Sequence, residues 1–117
     1  MLAHVVLFRL RSDLTRADRE GLVWALEVAL RNIPSIRDFQ IGKRVTFGAG
    51  YEQGAPSLDL CALIHFDDFS GLKTYLAHFA HEDIGGRFTA SIEEALVYDY
   101  EMMGPEGARV LLEEGGA

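Results

Sequence analysis

Two stretches of this 117-residue chain are apolar almost without a break, and they restrict the fold more than anything else in the sequence. Leu2 to Leu10 is interrupted only by His4 and Arg9, and its short length with Val5, Val6 and Phe8 marks a strand. Leu58 to Phe66 repeats the pattern, with Leu58, Leu60, Ala62, Ile64 and Phe66 on one side and Cys61 and Leu63 on the other. Successive strand residues point to opposite faces of a sheet, so strands apolar on both sides need cover on both. One layer of helices covers only one of those faces.

The rest of the chain supplies that layer. Thr15 stands three residues before Asp18 as in a capping box, and Leu22, Leu26, Ala29, Leu30 and Ile33 follow at helical spacing. The pattern predicts a helix from about 15 to 31, ended by Asn32 and Pro34. From Ile36 to Phe47, Phe39, Ile41, Val45 and Phe47 recur at strand spacing, giving a strand with one wetter face. Gly48 to Ser57, with Gly50, Gly54 and Pro56, is a hairpin-like connection. Asp67, Asp68 and Ser70 open a second helix whose stripe is Phe69, Leu72, Leu76 and Phe79. Gly85 and Gly86 each weaken a helix interior by about 1 kcal/mol, so a break or kink is expected before the last strand, Leu96 to Met103, which Gly104-Pro105 stops.

The order is β-α-β-β-α-β: an α+β, ferredoxin-like domain over residues 1–103, with two helices on one face of a four-stranded antiparallel sheet. Residues 104–117 read as a tail in which Val110, Leu111 and Leu112 have the makings of a short docked turn. The uncovered sheet face exceeds what a soluble monomer normally exposes, and a second copy is the economical cover, so a homodimer is expected.

A formal net charge of −7 repels phosphate backbones and anionic headgroups, which argues against nucleic acid and membrane surfaces as partners. No apolar stretch approaches the ~20 residues of a membrane span, and Met1 to Phe8 lacks the basic start and length of a signal segment, so a cytoplasmic location is expected. Cys61 has no second cysteine to bond with and sits among Leu60, Ala62 and Leu63 as a core thiol. His78, His81, Glu82 and Asp83 are ligand-type residues without a dedicated zinc spacing, and neither a metal nor another cofactor is expected.

Several segments together resemble the stress-responsive A/B barrel (Dabb) domain family of the dimeric α+β barrel superfamily. They are His4-Val5-Val6-Leu7-Phe8-Arg9, Phe39-Gln40-Ile41-Gly42-Lys43, Ile64-His65-Phe66, Leu72 to His78, Ala80-His81 and Val97-Tyr98-Asp99-Tyr100, in that order from His4 to about Glu101. The resemblance implies the ferredoxin-like fold and a dimer whose sheets close a barrel. The family includes polyketide cyclases, in which a tyrosine and a histidine near the second helix and a histidine on the first strand surround the ligand. The matching positions are Tyr75, His81 and His4; Leu60 stands where a further histidine would be, and Phe79 where the family usually has proline.

Those matches imply a site in which His81 removes an α-proton, the Tyr75 hydroxyl polarises a carbonyl and His4 orients the base. Six positions on an unbroken helix are roughly 240° apart, so Tyr75 and His81 share a pocket only if the helix breaks between them. His4, Val6 and Phe8 lie on one side of the first strand; taken as the barrel interior, that side makes them pocket residues with Phe39, Ile41, His65, His78 and Phe88. The expected ligand is a small apolar or polyketide-like molecule, bound by a cofactor-free enzyme promoting an intramolecular aldol condensation. The alternatives are a non-catalytic ligand-binding or stress protein and a haem-free monooxygenase. A pocket filled by Phe8, Phe39, Phe79 and Phe88 would leave the enzyme no room for substrate.

Overall fold

The structure, a computed structural model, describes residues 1–81 and 83–113, without the side chains of residues 80, 81, 83 and 84. Strand β1 (Leu2–Leu10) leads into helix α1 (Arg16–Asn32), then β2 (Asp38–Lys43), a 3₁₀ turn (Gly50–Glu52) and β3 (Leu60–Phe66). Helices α2 (Phe69–His81) and α3 (Asp83–Ser91) and strand β4 (Ile92–Glu101) complete the domain. The four strands form one antiparallel sheet in the order β2-β3-β1-β4, which places the two doubly apolar strands in the middle. This is the ferredoxin-like α+β arrangement.

Local chemistry sets the boundaries. Thr15 Oγ1 accepts from the Asp18 N–H while Asp18 accepts from the Thr15 N–H, so the capping box closes at both ends and α1 starts one residue later. Asp68 caps α2 by accepting from the Gly71 N–H at 3.0 Å. α2 runs without interruption from Phe69 to His81, so no helical break falls between Tyr75 and His81. Gly85 is required in α3, because a Cβ there would lie 1.8 Å from the Phe79 carbonyl oxygen.

Two strand boundaries differ from expectation. β2 ends at Lys43, not Phe47: Lys43 pairs with Leu60, Arg44 N–H donates once more to Asp59, and beyond it the Arg44 side chain turns to the Pro56 carbonyl. Val45 and Phe47 are left in the connection, 79% and 71% exposed. β4 begins at Ile92, earlier than Leu96, because Glu94 and Ile92 pair with Arg9 and Leu10 across a β-bulge. In the tail, Arg109–Glu113 do form a helical turn, but it is not docked: Val110, Leu111 and Leu112 are all exposed.

The two faces of the sheet have different surroundings. Phe66 is fully buried under α2 with Leu2, Ile64 and Leu72, the core cluster on the helix side. The opposite face carries Val5, Leu7, Cys61 and Leu63 in the centre and Leu96, Tyr98 and Tyr100 on β4. Among the described residues nothing covers the β4 part, where Tyr98 is 46% and Tyr100 52% exposed.

Candidate functional site in an apolar cavity

Strand alternation builds the floor of the site. His4, Val6 and Phe8 of β1 pair with Asp99, Val97 and Ala95 of β4 on one side and with Ile64, Ala62 and Leu60 of β3 on the other. Phe39 and Ile41 of β2 extend the same face past Ile64 and Ala62. Above it α1 contributes Leu26, Ala29, Leu30 and Ile33, α2 contributes Tyr75, Leu76, His78 and Phe79, and α3 contributes Phe88. The helices do not settle fully onto the strands: a cavity of about 370 Å³ remains between them. Phe8, Phe39, Phe79 and Phe88 line this space without filling it.

The cavity therefore lies between the sheet and the helices of a single chain. The face that a second sheet would cover is the opposite one. Val6, Phe8, Phe39, Ile41, His78 and Phe88 all line the cavity. His65 does not. It is one residue out of phase with Ile64, so it points to the far face beside Asp38, with Nδ1 3.6 Å from that carboxylate.

Among the described lining residues four are polar: His4, Asn32, Tyr75 and His78. His4 is only 5% exposed, and its Nδ1 lies 2.6 Å from Asp99 Oδ1. In the neutral imidazole a carboxylate accepting at Nδ1 favours the tautomer with its proton there, which leaves the Nε2 lone pair for a ligand. Asp99 is directly opposite His4 in the β1–β4 register, so the pair is a product of strand alignment. The Tyr75 ring stands 5.7 Å from that of His4, wedged against Phe66 at 5.4 Å and Phe79 at 5.9 Å. Burial alone pushes the Tyr75 phenol up to about 12, so its hydroxyl remains a proton donor at any ordinary pH.

The third sequence candidate, His81, has its side chain outside the described residues. Its backbone belongs to the same unbroken helix as Tyr75. Among the described residues no group of His, Cys, Asp or Glu is arranged to hold a metal ion. In the sequence Asp99 appears only within the Val97–Tyr100 segment of the resemblance, without a site role; the strand register gives it one, on the cavity side of β4 opposite a buried histidine.

A family model described as the stress responsive A/B barrel domain matches residues 2–102. This chain belongs to that family. The A/B barrel protein is 24% identical over 97 residues to olivetolic acid cyclase of Cannabis sativa, covering 83% of this chain and 92% of the cyclase. Among solved structures, an Arabidopsis thaliana protein superposes with a TM-score of 0.72 at 23% identity, covering 89% of this chain and 97% of that one. A hydroxynitrile lyase from Passiflora edulis gives 0.63 at 16% identity, over 89% and 96% of the two chains. A dimeric ferredoxin-like protein of unknown function from Thermobifida fusca gives 0.65 at 19%, over 86% and 90%. These structural likenesses, at 16–23% identity, show the shared fold. Among the described residues no helix is long and apolar enough to cross a membrane.

Proposed function

We propose that this protein binds an apolar carbonyl compound in the cavity and catalyses cofactor-free proton transfer on it, in the manner of a polyketide cyclase. The observation that carries the reading is the His4–Asp99 pair, 2.6 Å apart, at the wall of an otherwise apolar space with the Tyr75 ring alongside. Asp99 holds the imidazole in one tautomer, and His4 Nε2 accepts a proton from the carbon next to a ligand carbonyl. The Tyr75 O–H donates to the carbonyl oxygen as negative charge develops there. The resulting enolate attacks a second carbonyl of the same molecule, a carbon–carbon bond closes the ring, and the new alkoxide takes a proton back from His4. The described geometry supports His4 in the base role that resemblance alone gives to His81.

The assembly belongs to the same reading. The apolar face carrying Val5, Leu7, Leu63 and Tyr98 is proposed to pair with its copy in a homodimer, as dimeric relatives of the same fold suggest. The cavity is then left open on the other side of each sheet.

Hydrogen–deuterium exchange at the α-carbon of a methyl ketone, followed by NMR, tests the chemistry without requiring the natural substrate. His4→Gln and Asp99→Asn are expected to slow exchange by roughly 10²-fold or more, the usual scale of general-base catalysis, while His65→Gln leaves it unchanged. Exchange by the wild-type protein no faster than by His4→Gln would remove the enzymatic reading. A loss confined to His81→Ala would move the base to His81.

A further inference from the structure

The chemistry of the cavity wall also limits the charge of what can enter. We infer that the cavity admits only uncharged ligands, so that its substrate is a neutral ketone or aldehyde and not a keto acid; this rests on the ligand-binding reading above. Among the described lining residues there is no Lys, Arg, Asp or Glu. Residues 80–84, whose side chains lie outside the described set, include no Lys or Arg either. The polar groups on the wall are two imidazoles, an amide and a phenol, which suit a carbonyl oxygen but bring no fixed positive charge.

Among the described residues the one acid bonded to the wall has the wrong sign. Asp99 lies 2.6 Å behind His4, so a carboxylate placed at His4 meets a like charge as its nearest ionic neighbour. The neighbouring cations are engaged elsewhere or lie beyond the wall. Arg9 is paired with Glu93 and Glu94, and Arg37 with Asp67. The Arg87 guanidinium lies against Gly21 of α1, where a Cβ would come within 2.5 Å of it. Lys43 continues the row of Phe39 and Ile41 on β2 but does not line the cavity.

A carboxylate moved from water into such a space gives up its hydration and gains no lysine or arginine in return. It enters as the neutral acid, and its apparent affinity then falls tenfold for each pH unit above the acid's own pKa of about 4. The effect needs no change in the protein and separates charge from shape.

Three isosteric probes make the test: 2-acetonaphthone, 2-naphthamide and 2-naphthoate, titrated into the wild-type protein at pH 6, 7 and 8. The ketone and the amide are expected to bind comparably to one another at each pH. Naphthoate is expected to bind at least 100-fold more weakly than the amide at pH 7, with the ratio widening about tenfold per unit from pH 6 to pH 8. Naphthoate binding within tenfold of the amide at pH 8, or a ratio that does not change with pH, overturns the inference while leaving the binding site in place. Binding by none of the three removes the ligand-binding reading and the selectivity with it.

Discussion

Replacing Tyr75 by Phe removes one oxygen atom and separates what the side chain does for the fold from what it does for a ligand. The ring is held by His4, Phe66 and Phe79 at centroid distances of 5.4–5.9 Å, and all three contacts survive the change. Among the described residues nothing hydrogen-bonds the hydroxyl, and burial is the sole cause of its raised pKa. Removing an O–H that has no protein partner is therefore expected to leave stability at pH 7 unchanged or raise it by up to about 1 kcal/mol. The ligand loses a donor worth about 0.5–1.5 kcal/mol in the ground state, or roughly 2- to 13-fold in ketone affinity. It loses about 1.5–3 kcal/mol once the carbonyl oxygen carries charge, or roughly 10- to 150-fold in α-proton exchange.

The same residue makes the alkaline limb of stability diagnostic. Its phenol titrates at 10.0 when exposed and at about 12 in the fold, so above pH 10 the unfolded chain releases a proton that the folded chain keeps. Folding stability then falls as pH rises from 10 to 12, by on the order of 2–3 kcal/mol, and the contribution is fully present only below pH 10. Urea unfolding at pH 7, 10, 11 and 12 for both proteins isolates it, because every other group cancels in the comparison and the Phe variant lacks this loss. The reasoning is refuted by a variant that is 1 kcal/mol or more less stable at pH 7 and exchanges ketone protons at the wild-type rate.

Two further substitutions test how local chemistry sets the fold. Thr15→Ala opens the capping box by deleting the acceptor for the Asp18 N–H, and is expected to lower stability by about 1 kcal/mol in urea unfolding. Gly85→Ala puts a methyl group where the Phe79 carbonyl already is and is expected to cost about 1–3 kcal/mol or more. Its thermal midpoint should fall by several degrees, whereas Gly86→Ala, with open space at that position, should not lower it.

The parts of the fold legible in the sequence were those written in short-range chemistry. Thr15 with Asp18 fixes the start of α1 because the cap is made by residues three apart. The doubly apolar strands are legible because alternation needs no partner to be read. The β4 boundary was not, since Ile92-Glu93-Glu94 has the look of an exposed helix end and only its pairing with Leu10 and Arg9 makes it a strand. The ion pairs of Arg9 with Glu93 and Glu94 arise from that same alignment.

The site divides along the same line. Tyr75 and His4 stand out as residue types, and the structure brings their rings together. His65 also stands out, but its strand phase places it with Leu63 and Cys61 on the other face. Asp99 is the reverse case, an ordinary acidic residue between two tyrosines until the β1–β4 register sets it opposite His4. The side of the sheet on which the cavity opens also depends on how closely α1 and α2 settle onto it, a packing outcome that no local pattern encodes.

The central claim is that ligand binds between the sheet and the helices of one chain, against His4 and Tyr75. Backbone and histidine NMR shifts recorded while 2-acetonaphthone is titrated into the protein test it most directly, because neighbouring residues of β1 report on opposite faces. Shifts concentrated at His4, Val6, Ile64, Tyr75 and Val97, with His65 and Leu63 little changed, are the predicted result. Shifts concentrated at Val5, Leu7, Leu63 and Tyr98 would place the ligand on the far face of the sheet and contradict the account.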